Sequence, residues 1–119
     1  MKAAAYRRHA SEHSLQKQVL ACLSLSKHAF AFAVPNAGKR SPATAVRMKA
    51  EGLVPGIADL CVMLPGGRVG WLELKTAKGT QSLAQTQFED ICEVLRHPYA
   101  VARSLDEAIR VLRAWGALK

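Results

Sequence analysis

Two apolar runs, "GIADLCVML" (residues 56–64) and "RVGWLELK" (residues 68–75), are joined by "PGG", and this pairing constrains the chain more than any other feature. Turn residues between two strand-like runs predict an antiparallel hairpin. Side chains alternate faces along a strand, so Leu72 and Leu74 point to one side while Glu73 and Lys75 point to the other. A hairpin this apolar belongs in a core, yet it carries Asp59, Glu73 and Lys75. An unpaired buried carboxylate is costly. Two that converge repel each other and raise a pKa, unless a divalent cation lies between them.

The rest of the chain supplies elements to pack against this hairpin. Leu15, Val19, Cys22 and Leu23 recur at helical spacing and predict a first helix over residues 11–26. "HAFAFAVPN" reads as a strand closed by Pro35 and Asn36. Ser41 is a good N-cap, Pro42 suits the first helical position, and Gly52 can end a second helix in left-handed geometry. A third helix is expected over residues 82–95, with Ala84, Phe88, Ile91 and Leu95 inward. "YAVAR" is a short strand, and "SLDE" forms a capping box that opens a last helix running through Trp115. The order αβαββαβα predicts an α/β fold with a mixed sheet flanked by helices.

At 119 residues the chain fits one domain, 1–119. Its formal net charge of +8 is unevenly placed. Residues 1–50 carry Lys2, Arg7, Arg8, Lys17, Lys27, Lys39, Arg40, Arg47 and Lys49 against Glu12 alone, whereas basic and acidic residues balance from Glu51 onward. A basic half predicts a surface facing a polyanion such as nucleic acid; the plain alternative is solubility. Cys22, Cys61 and Cys92 are far apart and lack C-x-x-C spacing, so they are expected to be reduced core thiols, as Met48 and Met63 are expected to be core. No apolar run approaches the roughly 20 residues that cross a bilayer, and the start lacks the apolar centre of a signal peptide. A soluble intracellular protein without membrane contact is expected, in cytoplasm or nucleoid, or as a viral protein in a host cell.

Carboxylates without His or Cys favour magnesium over zinc, with manganese able to substitute. Such an ion can bind a phosphate oxygen and lower the pKa of a water. A lysine beside it and a basic half to hold the backbone point to phosphodiester hydrolysis. E-x-K alone is a common tripeptide, usually solvated on an edge strand, so the weight of this reading falls on Asp59 and the charge distribution.

The string G-I-A-D-L, the turn, E-L-K and then "KGTQSLAQTQF" resembles the PD-(D/E)xK nuclease superfamily, and within it the VRR-NUC branch. The likeness covers most of the chain: Glu12 and Gln16, Asn36, Gly56 with Asp59 and Leu60, Glu73 and Lys75, Ser82 and Gln85, and Tyr99 with Val101. Ala58 departs from it, standing where the family usually has proline. The resemblance implies a restriction-endonuclease-like sheet and metal ligands Asp59, Glu73 and the Leu74 backbone carbonyl, with Glu12 reaching the metal directly or through water. It implies that Lys75 orients or deprotonates the attacking water, that Gln85 supports Lys75 or the water, and that products carry 5′-phosphate and 3′-hydroxyl. Short stand-alone members resemble Holliday-junction resolvases that act as homodimers on branched DNA. Lys39, Arg40 and Lys78, with Arg7 and Arg8 of the basic half, are then expected to hold DNA. Trp71 and Trp115 fit either a dimer interface or the core.

Three rivals remain. "HASEH", residues 9–13, spells the H-x-x-E-H of a zinc peptidase group, though no third ligand is evident. A flap or single-strand-specific nuclease of the same superfamily would use the same residues. A non-catalytic DNA-binding module with this fold would have no use for the carboxylates.

Overall fold

The computed structural model describes residues 2–35 and 41–119, with side chains from Glu12 onward in the first helix. Among the described residues the elements run α1 (Lys2–Ser24), β1 (Phe30–Ala33), α2 (Pro42–Ala50), β2 (Leu60–Leu64), β3 (Arg68–Leu74), α3 (Leu83–Leu95), β4 (Tyr99–Ala102) and α4 (Leu105–Ala114). This is the predicted order αβαββαβα. The first helix begins earlier than expected, because Ala3, Ala4 and Ala5 are strong helix formers. The first strand is shorter than "HAFAFAVPN", since Pro35 has no N–H to give a ladder. Ser41 caps α2 by accepting from the Thr44 N–H, and Gly52 leaves the helix at φ +104°.

The sheet is mixed, in order β1-β2-β3-β4, with β3 and β4 parallel and the other neighbours antiparallel. Leu60 stands opposite Leu72 and Val62 opposite Gly70, so one face gathers Leu60, Val62, Leu64, Leu72 and Leu74. Leu15, Val19 and Leu23 of α1 and Ala108 and Leu112 of α4 close over that face. Each fully buried leucine contributes about 1.5–3 kcal/mol. Trp115 belongs to this core: its ring lies so close over Gly70 that a Cβ there would be 2.6 Å from it.

On the opposite face α3 packs against β3 and β4. Phe88 meets Trp71 edge-on at 5.3 Å between ring centroids and Tyr99 at 6.0 Å. Two expectations are corrected here. Cys92, not Ile91 or Leu95, is the buried residue of the α3 C-terminal half, and Met63 lies half exposed. Phe88 and the buried Cys92, one turn apart, carry the packing of α3, which leaves Ile91 and Leu95 toward its flank. Cys22, Cys61 and Cys92 are free thiols, with Cys61 and Cys92 buried and Cys22 partly so.

Candidate active site

Hairpin register brings Asp59, one residue ahead of β2, beside Glu73 and Leu74 at the end of β3. Their backbone and side chains interlock: the Asp59 N–H donates to Glu73 Oε1 at 3.3 Å, and the Leu74 N–H donates to Asp59 Oδ2 at 2.8 Å. Two carboxylates thus continue the β2–β3 pairing where the backbone ladder ends. The loop before Asp59 is pinned from the other side. Gly56, at φ +83°, lies so close to the first turn of α3 that a Cβ would be 2.3 Å from the Ala84 carbonyl carbon. Only glycine permits both this backbone conformation and this approach.

Glu73 is 1% exposed, and its Oε2 accepts no hydrogen bond. Lys75 Nζ stands 3.7 Å from that oxygen, on the same face of β3 as the sequence predicts. Burial raises the Glu73 pKa from 4.5 to about 8, helped by the hydrogen bond to Asp59 and its negative charge; Lys75 and the Asp59 N–H oppose the rise. In this arrangement Glu73 holds a proton at neutral pH unless another cation takes its place. A third oxygen faces the same way. The Trp71 and Lys75 N–H groups bond to β4, at Pro98 and Ala102, so strand alternation turns the Leu74 carbonyl toward Asp59 instead. A buried carboxylate with an unsatisfied oxygen, a second carboxylate and a backbone carbonyl form a donor set suited to magnesium, which often takes one or two carboxylates and keeps several waters.

Other candidates stand apart from this cluster. Glu12 is exposed on α1, and among the described residues no three His, Cys, Asp or Glu side chains gather closely enough to hold a metal. The side chain of His9, on which the H-x-x-E-H reading depends, lies outside the described residues. Gln85 has a structural duty, its Oε1 accepting from the Ser82 N–H in a reciprocal capping box. Ser82 and Gln85 also line a largely apolar cleft of about 510 Å³ with Val34, Pro35 and Gly56. Lys78 is exposed in the loop after β3. Asn36, Lys39 and Arg40, and the side chains of Arg7 and Arg8, lie outside the described residues.

The sequence reading missed Arg103. Its Nη1 donates to the carbonyls of Thr76, at 2.9 Å, and Gly79, holding the loop that follows Lys75. Its N–H donates in turn to Glu107 Oε2, so "SLDE" caps one residue further back than a capping box would. The signal was an arginine directly after the strand that pairs with E-L-K, legible only once the parallel register is known.

By sequence the chain matches no family model and no curated protein. By structure it is similar to a solved "VRR_NUC domain" at TM-score 0.65 and 15% identity, covering 88% of this chain and 97% of the other. It is also similar to a "VRR_NUC domain protein" at TM-score 0.70 and 19% identity, covering 88% and 87% respectively. The carboxylate pair, the lysine beside it and the strand order that joins them are thus carried on the fold of a VRR_NUC domain.

Proposed function

We propose that this protein is a magnesium-dependent, structure-selective DNA endonuclease, a junction resolvase acting as a homodimer, with manganese able to replace magnesium. The observation that carries this reading is the buried Glu73 carboxylate, held against Asp59 with an oxygen left unsatisfied and Lys75 beside it. Asp59, Glu73 and the Leu74 carbonyl would hold the ion. When bound, it would supply charge to a phosphate oxygen and lower the pKa of a water for in-line attack on phosphorus.

The chain's own residues do the positioning. Lys75 directs its ammonium toward the carboxylate pair, where it orients the attacking water and offsets charge on the phosphate. Lys78, in the loop that Arg103 holds, is assigned to a backbone phosphate. Glu12 is assigned a water-mediated contact, and the Gln85 amide N–H is free of the capping bond to meet water or Lys75. Lys39, Arg40, Arg7 and Arg8 are assigned to backbone phosphates of the DNA. With no evident sequence-reading element, substrate is found by shape and phosphate contacts.

Cleavage of a labelled four-way junction, a 5′ flap and a linear duplex, each with magnesium, manganese or EDTA, tests the proposal. Paired symmetric nicks in the junction that need the metal are expected. Binding without cleavage of any substrate would reduce the site to a DNA-holding scaffold, while cutting confined to the flap would replace the resolvase reading with a flap nuclease.

A further inference from the structure

The cleft of about 510 Å³ lies between the end of β1, the loop that leads into β2 and the first turn of α3. Two contacts fix it beside the carboxylate pair. The Val34 N–H donates to the Asp59 carbonyl at 2.8 Å, which sets Val34 opposite Asp59 as the next pair after Ala33 and Leu60. Their Cα atoms are then about 5.5 Å apart. Gly56, in the loop just ahead of Asp59, presses on the Ala84 backbone and so joins the other two walls. Those walls are aliphatic, with Val34, Pro35, Val54 and Ile57, and among the described residues no charged side chain lines the cleft. Its polar end is Ser82 and Gln85. In their capping box the Ser82 hydroxyl accepts from the Gln85 N–H and Gln85 Oε1 accepts from the Ser82 N–H. The cap thus uses acceptors of both side chains and leaves the hydroxyl proton and the amide N–H groups to donate.

We propose that this cleft receives an unpaired nucleobase of the DNA, from a nucleotide next to the scissile phosphate. The inference rests on the nuclease reading for the position of that phosphate, at Asp59 and Glu73. A phosphate is excluded from the cleft itself, because nothing in its walls offsets the charge. A base has what the cleft asks for: two flat apolar faces to lie against aliphatic walls, and a polar edge to meet donors at one end. The volume falls within the roughly 300–1,000 Å³ of small-ligand sites. Each of the four bases carries an acceptor on its edge, so one amide N–H of Gln85 and the Ser82 hydroxyl can donate to any of them. That tolerance agrees with a chain that has no evident sequence-reading element. A base inside a duplex must break its pair and leave its stack to enter, whereas a base at a branch point is already free to do so. The cleft therefore selects branched over linear DNA in a way that phosphate contacts alone do not.

The test scans the nucleotides around the branch point of a four-way junction and a 5′ flap, replacing each in turn by 2-aminopurine or by an abasic residue. Binding to the full chain is read in calcium, by anisotropy and by 2-aminopurine fluorescence, which rises when the base leaves its stack. One position is expected to brighten, and an abasic residue there to weaken binding about 10-fold, while abasic residues elsewhere in the arms have little effect. Val54→Gln, at a half-exposed wall position, should cut that penalty to under about 3-fold and suppress the brightening, and Val54→Leu should keep both. Matched circular dichroism melts verify that each variant is folded. No responsive position, or a response that persists unchanged in Val54→Gln, overturns the inference even if junctions are cut. A response lost in Val54→Gln from a protein that cuts nothing in magnesium upholds the cleft and sinks the endonuclease reading instead.

Discussion

Replacing Glu73 with glutamine should remove a pH-dependent instability that the buried carboxyl builds into the metal-free protein. Folding raises the Glu73 pKa from 4.5 to about 8, chiefly through burial and then through Asp59. Between those values the native state holds a proton that the unfolded chain has released. The native state therefore binds more protons, and stability falls as pH rises through the window. The full difference amounts to about 5 kcal/mol, a large share of the roughly 5–15 kcal/mol that a domain possesses. Glu73→Gln keeps the shape and discards the titration. Urea unfolding in EDTA at stepped pH should find variant and wild type alike near pH 4, with the variant ahead by up to about 5 kcal/mol at pH 8 and above. Magnesium added at the upper end should stabilise the wild type, the ion taking the place of the proton, and leave Glu73→Gln unmoved. Parallel profiles across the whole pH range would refute the account of Glu73 as an uncompensated buried acid.

Other perturbations test other parts of the site. Glu73→Ala and Lys75→Ala should each abolish junction cleavage while binding, measured by gel shift in calcium, stays largely intact; substantial cleavage by both would remove them from the chemistry. Gly56→Ala should cost about 2–4 kcal/mol in a thermal or urea melt, because its Cβ meets backbone of α3 and its φ is left-handed. An unchanged melt would show that the loop before Asp59 is not locked to that helix. Arg103→Ala should release the loop after β3, lowering kcat more than it raises KM, with Arg103→Lys restoring part of the loss by reaching one carbonyl; equal losses in both variants would point to general destabilisation instead.

Much of this protein is legible in local sequence because its elements are locally specified. Ser41, Ser82 and Ser104 cap the helices they precede, and "PGG" turns the hairpin through Gly66 and Gly67 at positive φ. Period-two alternation in "RVGWLELK" separates Leu72 and Leu74 from Glu73 and Lys75, and burial on the core face follows from it. What alternation alone leaves open is which of two faces is covered, and by what. That depends on tertiary packing, which buries Glu73 to 1% exposure yet leaves Met63, Ile91 and Leu95 at least half exposed. Periodicity reports that a residue is apolar or charged, whereas burial depends on elements distant in sequence. The meeting of Asp59 with Glu73 and Leu74, the grip of Arg103 on Thr76 and Gly79, and the contact of Gly56 with Ala84 are likewise long-range. The sequence determined the elements and the residue types at the site; the tertiary structure alone decided that one carboxylate lies buried with an oxygen unsatisfied, because only packing from both sides of a sheet can take water away.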